Sequence, residues 1–322
     1  MKYSVILSNL GACCDRYVSG GYSDSVELEV LFDRLGKMTG IDGVELVGTW
    51  HVTKDNMGII KEKLDELKLP VVSIIPDHFG TAVWGKGAFT SPDIDIRKKA
   101  VSEALQMCEY AEELNCPTIS IWNGQDGYDY PMQVNYIDCN NWLIEGIREV
   151  ARLMPNMNIS LEYKPKEPRN HCFLPSMYSA LYTCEMAGEK NVGVTMDFGH
   201  ALEAYENCAE SICLASKSNK LMHIHINDNY RVWDDDMITG SIHTIEYIEL
   251  FYWLKKLGYE GYVSIDQYPY RENSLAAAQE SINWMKAFEK AADRIDEAKM
   301  HEILANHDAV SSTKYLREII FG

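Results

Sequence analysis

The chain is 322 residues long, 46% hydrophobic, and carries a formal net charge of −18. The hydrophobic share is enough for a full core, and the length admits one large barrel or two ordinary domains. The acidity argues against nucleic acid as a partner, because phosphate backbones repel such a surface; the longest basic run is only Arg97-Lys98-Lys99. No stretch of apolar residues is long enough to span a membrane, and the apolar start at Val5-Ile6-Leu7 is too short for a secretion signal. Nine scattered cysteines without a CxxC pair read as free thiols in a reducing cytoplasm.

Short β-rich runs alternate with longer runs of helical spacing. In chain order the strands fall at 3–8, 43–47, 71–76, 118–122, 159–164, 192–197, 222–227 and 262–267. Between them, 26–38, 96–114, 141–153 and 244–257 place apolar residues on one helical face, and Gly40, Pro155 and Gly258 stop three of these helices. Eight β-α units without a linker predict one (β/α)8 TIM barrel over 1–295, with a C-terminal helical extension over 296–322. Gly20-Gly21 is no dinucleotide-binding fingerprint, which sets the doubly wound alternative aside.

In such a barrel the site lies at the C-terminal ends of the strands. Strand five ends in Glu162-Tyr163-Lys164, strand six in Asp197-Phe198-Gly199-His200, strand seven in His223-Ile224-His225-Ile226-Asn227 and strand eight in Ile265-Asp266. Alternation turns the polar member of each pair inward and the apolar member toward the helices. Glu162, Asp197, His225 and Asp266 then converge. Three buried carboxylates need a counter-charge, and a divalent cation supplies it; oxygen-rich ligation with one imidazole suits Mn²⁺, Co²⁺ or Mg²⁺. The alternative is an internal ion-pair network through Lys164. The acidic triplet Asp234-Asp235-Asp236 follows closely, so His200, Asp234 and Asp236 are candidates for a second ion.

In order and content, Glu162-Tyr163-Lys164-Pro165, Asp197-Phe198-Gly199-His200, His225-Ile226-Asn227-Asp228 and Asp234-Asp235-Asp236 resemble the xylose-isomerase-like barrel superfamily, and within it the bacterial L-rhamnose isomerases and related sugar isomerases. The segments 87–93 and 124–131 resemble the loops after strands three and four of that group. The resemblance implies a first metal on Glu162, Asp197, His225 and Asp266, a catalytic one on His200, Asp234 and Asp236, and Lys164 beside the substrate carbonyl. It also implies a homodimer or homotetramer. This chain departs from that group in being shorter, in one extra residue before the triplet, and in Trp233.

The activity so implied is a metal-dependent interconversion of an aldose and a ketose, a deoxy sugar among the candidates. Lys164, Asp234 and His200 would be its catalytic groups. The rivals on the same barrel are a ketose 3-epimerase, which wants a carboxylate on either side of one carbon, and a C-glycoside-cleaving lyase subunit with a small partner chain. A scaffold that binds no divalent ion is the non-enzymatic alternative. His78, Trp84, Phe89 and Trp122 are candidate substrate contacts: the three aromatic rings because such faces suit sugar C–H surfaces, with core packing as the alternative for Trp122, and His78 by hydrogen-bonding a sugar hydroxyl or helping to open its ring, with a capped loop histidine as its alternative. His223, one layer below His225, reads as its support; Asn227 and Asp228 either orient His225 or cap the next turn. His171 and Arg169 read as substrate contacts or loop surface, and His243 as exposed.

Overall fold

The computed structural model describes residues 1–14 and 17–322. Eight parallel strands close on themselves: β1 (Lys2–Ile6), β2 (Gly43–Val47), β3 (Val71–Ile75), β4 (Thr118–Trp122), β5 (Asn158–Glu162), β6 (Val192–Asp197), β7 (Leu221–Ile226) and β8 (Tyr262–Ile265), with β8 pairing back onto β1. The chain is therefore an α/β TIM barrel, as its eightfold β-α alternation predicts. Several strands stop short of the C-terminal ends expected from the sequence. Leu7–Leu10 turns into a short 3-10 helix, and Lys164 and Gln267 lie beyond their strands. A small antiparallel ribbon, Gly127–Tyr128 with His171–Cys172, joins the loops after β4 and β5.

Several helices begin at polar caps. Asp93 accepts from the Asp95 amide at the head of Ile94–Glu113, and Asn135 accepts from Ile137 and Asp138 at the head of Tyr136–Leu153. The helix Ser274–Asp293 closes the eighth unit, and Glu297–Ala305 and Ala309–Phe321 follow it. The Asp296 amide donates to the Tyr315 hydroxyl at 2.7 Å, tying the last two helices together. Among the described residues no helix is long and apolar enough to cross a membrane.

Strand alternation divides the core in two. Val5, Val44, Leu46, Ile74, Ile119, Ile121, Leu161, Val194, Met196, Ile224 and Val263 face the helix layer and are fully buried there. The axis is polar instead, unlike the branched aliphatic layers that usually fill such barrels. Ser4 donates to Ser264 at 2.9 Å, and Thr195 stands 2.8 Å from Ser120 and 2.6 Å from Ser160. Above these, a small separate apolar cluster of Ile6, Val47 and Ile75, joined by Phe79, occupies the ends of β1 to β3.

Candidate functional site

The last inward positions of β1 to β5 and β8 set the floor of one cavity. On β1 to β3 they are apolar: Ile6, Val47 and Ile75. On β4 it is Trp122, and on β5 it is Glu162; Asp266 stands just past β8. Lys164, His200, Asp234, Asp236 and Tyr268 complete one wall, and Trp50 and Phe79 the other, around about 240 Å³. That lies below the ~300–1,000 Å³ of pockets for drug-sized molecules and suits a single small polar ring or chain.

Glu162, Asp197, His225 and Asp266 meet as the sequence predicts: each offers one donor atom, and these all lie within 4.8 Å of one another. His225 Nδ1 is 3.2 Å from Glu162 Oε1 and 3.5 Å from Asp266 Oδ2, yet it is buried without a hydrogen bond. Burial raises the Asp266 carboxyl to about 8, with Glu162 and Asp197 adding to the effect and His225 opposing it. Asp197 is raised for the same first reason, against the pull of His200. Burial would raise Glu162 too, but His225 and His200 hold it below its ordinary value. An imidazole nitrogen buried without a partner, beside two carboxyls that resist ionising, is a donor set with room for positive charge. It fits a divalent cation.

The local chain explains the aim of these groups. Asp197 caps the short helix Phe198–Glu203, accepting from the His200 amide at 2.8 Å, and Asn227 donates to its other oxygen at 3.1 Å. Gly199 is required here: a Cβ on it would stand 2.1 Å from Asn227 Oδ1. Asp228 does not orient His225. Nor is the turn it binds the next one: it accepts from the Ile242 and His243 amides, at 2.8 and 3.0 Å, ahead of the helix Thr244–Lys256, with His243 Nδ1 2.7 Å away. His243 is accordingly half-buried and paired, not exposed as its sequence position suggested.

His200, Asp234 and Asp236 all reach the cavity, but they stand differently from the first four. Asp234 Oδ2 accepts from Lys164 Nζ at 2.7 Å and lies 3.0 Å from His200 Nε2; its Oδ1 is buried without a partner. Burial alone would raise the Asp234 carboxyl, but Lys164 and His200 outweigh it and hold it well below the usual carboxylate range. His200 rises to about 9: burial lowers it, and Asp197 and Asp234 overcome that. Burial first, then Asp234 and Asp266, push Asp236 well up. Asp235 turns away and accepts from the Tyr230 amide at 3.1 Å. Trp233 is exposed on the outer loop, with Lys166 over its ring at 5.5 Å.

Of the candidate substrate contacts, only Trp122 lines the cavity. His78, Trp84 and Phe89 are corrected to packing roles. His78 is fully buried between the other two rings, with centroids 5.4 Å from Trp84 and 5.1 Å from Phe89, and the Trp84 indole donates to the Asp77 carbonyl at 2.9 Å. Burial lowers the His78 ring to about 4, so it is neutral. Arg169 and His171 also stay off the cavity wall: Arg169 pairs with Asp129 at 2.7 Å, and His171 stacks on Tyr128.

A family model described as xylose isomerase-like TIM barrel matches residues 33–288, most of the chain. The chain belongs to the xylose isomerase-like TIM barrel family. Among its relatives is a xylose isomerase of Thermus thermophilus, 27% identical over 207 residues. That match covers 62% of this chain and 54% of the relative, so the chain spans about half of that enzyme's length. Two solved structures share the fold: a D-tagatose 3-epimerase-like protein and an L-ribulose 3-epimerase. The first has a TM-score of 0.71 and 22% identity, over 91% of this chain and 98% of that one. The second has a TM-score of 0.72 and 16% identity, over 91% and 96%.

In this xylose isomerase-like barrel the sequence reading passed over Trp50, Phe79, Tyr268 and Glu45. Trp50 sits on a four-residue helix, Gly48–His51, too short to show a period, and its indole donates to Asp77 Oδ2 at 3.0 Å. Its ring meets Phe79 at 5.6 Å, and Phe79 meets Trp122 at 4.6 Å, forming one aromatic wall. Glu45 did leave a signal: it is the lone acid in Gly43-Val44-Glu45-Leu46-Val47 and, by alternation, points inward. Burial would raise it, but the facing His223 and His225 hold its carboxyl well below the usual range.

Proposed function

We propose that this chain is a divalent-metal-dependent aldose–ketose isomerase acting on a free monosaccharide. The observation that carries the reading is Lys164: a buried ammonium facing the cavity, 2.7 Å from Asp234, beside the Glu162, Asp197, His225 and Asp266 cluster. The family and the name of the Thermus thermophilus relative support it.

The reaction moves one hydrogen between adjacent carbons and one proton between their oxygens, so the sugar must be held with both oxygens fixed. The aromatic wall of Trp50, Phe79 and Trp122 takes the C–H face of the sugar. Ile6, Val47 and Ile75 leave the floor beneath that wall without hydrogen-bonding groups, a place suited to a deoxy position. Lys164 donates to the carbonyl oxygen and stabilises the charge that builds there. Asp234, kept ionised by Lys164 and His200, accepts a hydrogen bond from the hydroxyl and orients its proton toward the neighbouring oxygen. Mn²⁺, Co²⁺ or Mg²⁺ on Glu162, Asp197, His225 and Asp266, and a second such ion on His200, Asp234 and Asp236, would supply Lewis-acid polarisation of the two oxygens.

The test is EDTA-treated protein with Mn²⁺ restored, incubated in D₂O with a panel of aldoses and ketoses and followed by NMR. Metal-dependent aldose–ketose interconversion is the expected result. Inversion at one ketose carbon with deuterium entering there would replace the reading with a 3-epimerase. No change in any free sugar would overturn both. Two ions per chain are expected, and one in the Asp234→Asn, Asp236→Asn double variant; equal stoichiometry in both proteins would remove the second site.

A further inference from the structure

One fully buried acid lies on the strand from which the cavity takes only Val47. Glu45 on β2 is fully buried and reaches across the axis to β7. Its Oε1 is 2.6 Å from His223 Nε2 and its Oε2 is 3.2 Å from His225 Nε2. The two imidazoles stand nearly perpendicular, 86° apart with centroids at 5.0 Å, so one planar carboxylate serves both. The ladder shifts register at Val44/Glu45 between β2 and β3, and again at Val194/Thr195 between β6 and β7. Irregularities of this kind re-aim side chains near sites.

We infer that Glu45 is a positioning residue that fixes His225 with Nε2 protonated and Nδ1 bare toward Glu162, Asp197 and Asp266. The inference rests on the reading of those residues as a cation site. An imidazole nitrogen ligates only when it carries no proton, and the partner of the other nitrogen decides which one is bare. With the Nδ1 edge of His225 turned to Glu162, Asp197 and Asp266, the hydrogen of a ligating ring belongs on Nε2, where Glu45 Oε2 stands 3.2 Å away to accept it. His223 occupies the remaining Glu45 oxygen, so the carboxylate cannot rotate away from His225. Glu162 and Asp266 meet the other edge of the His225 ring, at 3.2 and 3.5 Å. The first three ligands sit on adjacent strands, whereas their support comes from the far side of the barrel.

The experiment uses full-length protein stripped with EDTA and labelled with ¹⁵N-histidine, its ring signals assigned with His223→Gln and His225→Gln. In the wild type a protected Nε2–H signal from His225 is expected. Glu45→Gln should shift or abolish it and weaken Mn²⁺ binding, measured by titration, about 10- to 100-fold. Glu45→Asp, which keeps the acceptor charge on a shorter arm, should recover part of that loss. Melting of each stripped protein is recorded alongside, which separates lost orientation from lost fold. A wild-type His225 protonated on Nδ1 with a bare Nε2 overturns the inference, as does a Glu45→Gln protein that folds and binds Mn²⁺ as the wild type does. If the wild type takes up no divalent ion, the cation reading fails by itself. The ring signal in stripped protein still decides whether Glu45 sets the proton on His225.

Discussion

Replacing Lys164 by Met removes the ammonium, which lies 5.4 Å over the Trp122 ring, and keeps most of the stem. The Nζ–Oδ2 separation to Asp234 is 2.7 Å, a gross attraction of about 6 kcal/mol at an effective dielectric of about 20. Much of this offsets the cost of burying both ions, but deleting one partner leaves the other buried and short of a counter-charge, typically at about 3–5 kcal/mol. His200 stays 3.0 Å from Asp234, so the loss in stripped protein should fall near the lower figure, about 3 kcal/mol by urea unfolding. Turnover with Mn²⁺ present should fall by about 10²–10³, the usual effect of losing one donor to a developing oxyanion. Lys164→Met with Asp234→Asn removes both charges and should regain about 2 kcal/mol over the single variant, since no unpaired carboxylate remains. A Lys164→Met protein that loses less than about 1 kcal/mol and keeps its turnover would refute both the pairing and the catalytic role.

Three further outcomes follow from single residues. His78 titrates near 4 when folded against 6.5 for an ordinary histidine, so the unfolded chain binds more protons in that window and stability falls as pH drops through it. Between pH 7.5 and 5 the wild type should lose about 2 kcal/mol more than His78→Gln in urea unfolding; equal losses would show that the ring accepts a proton in place. Gly199→Ala drives a Cβ to 2.1 Å from Asn227 Oδ1 and so disturbs the amide that donates to Asp197. Mn²⁺ affinity should fall about tenfold or more with the circular dichroism unchanged, and unaltered affinity would clear Gly199 of that role. Asp126 is fully buried and accepts from the Ala88, Phe89 and Thr90 amides at 2.9, 3.3 and 2.7 Å. Asp126→Ala leaves these donors unpaired and should cost about 3 kcal/mol or more, with Asp126→Asn milder; a cost under about 1 kcal/mol would mean the loop is held otherwise.

What was legible in the sequence is what periodicity encodes. The polar-apolar alternation through Glu162, Asp197, His225 and Asp266 survives into the structure, because strand ends in a closed barrel have one way to point inward. The loop residues were not legible. His78, Trp84 and Phe89 carry no period, and whether an aromatic ring faces a cavity or a neighbouring ring depends on loop packing that no spacing records. Trp50 and Phe79, which take the places expected of Trp84 and Phe89, differ from them only in which turn they fall on. Glu45 was within reach of the same alternation rule. It is hidden because β2 ends in Val47, so the strand does not show the polar end that marks β5 to β8.

The hydroxyl pairs along the axis bear on how this interior can change over time. Thr195 stands between Ser120 and Ser160, and Ser4 is matched to Ser264, all without access to water. Replacing one member by an aliphatic residue strands its partner at about 1–3 kcal/mol, whereas replacing a whole set together can be neutral. Accepted substitutions at these positions should therefore arrive in linked groups, one from each of two or three strands far apart in the chain. A change that looks conservative on β4 is then open or closed according to what β5 and β6 already carry.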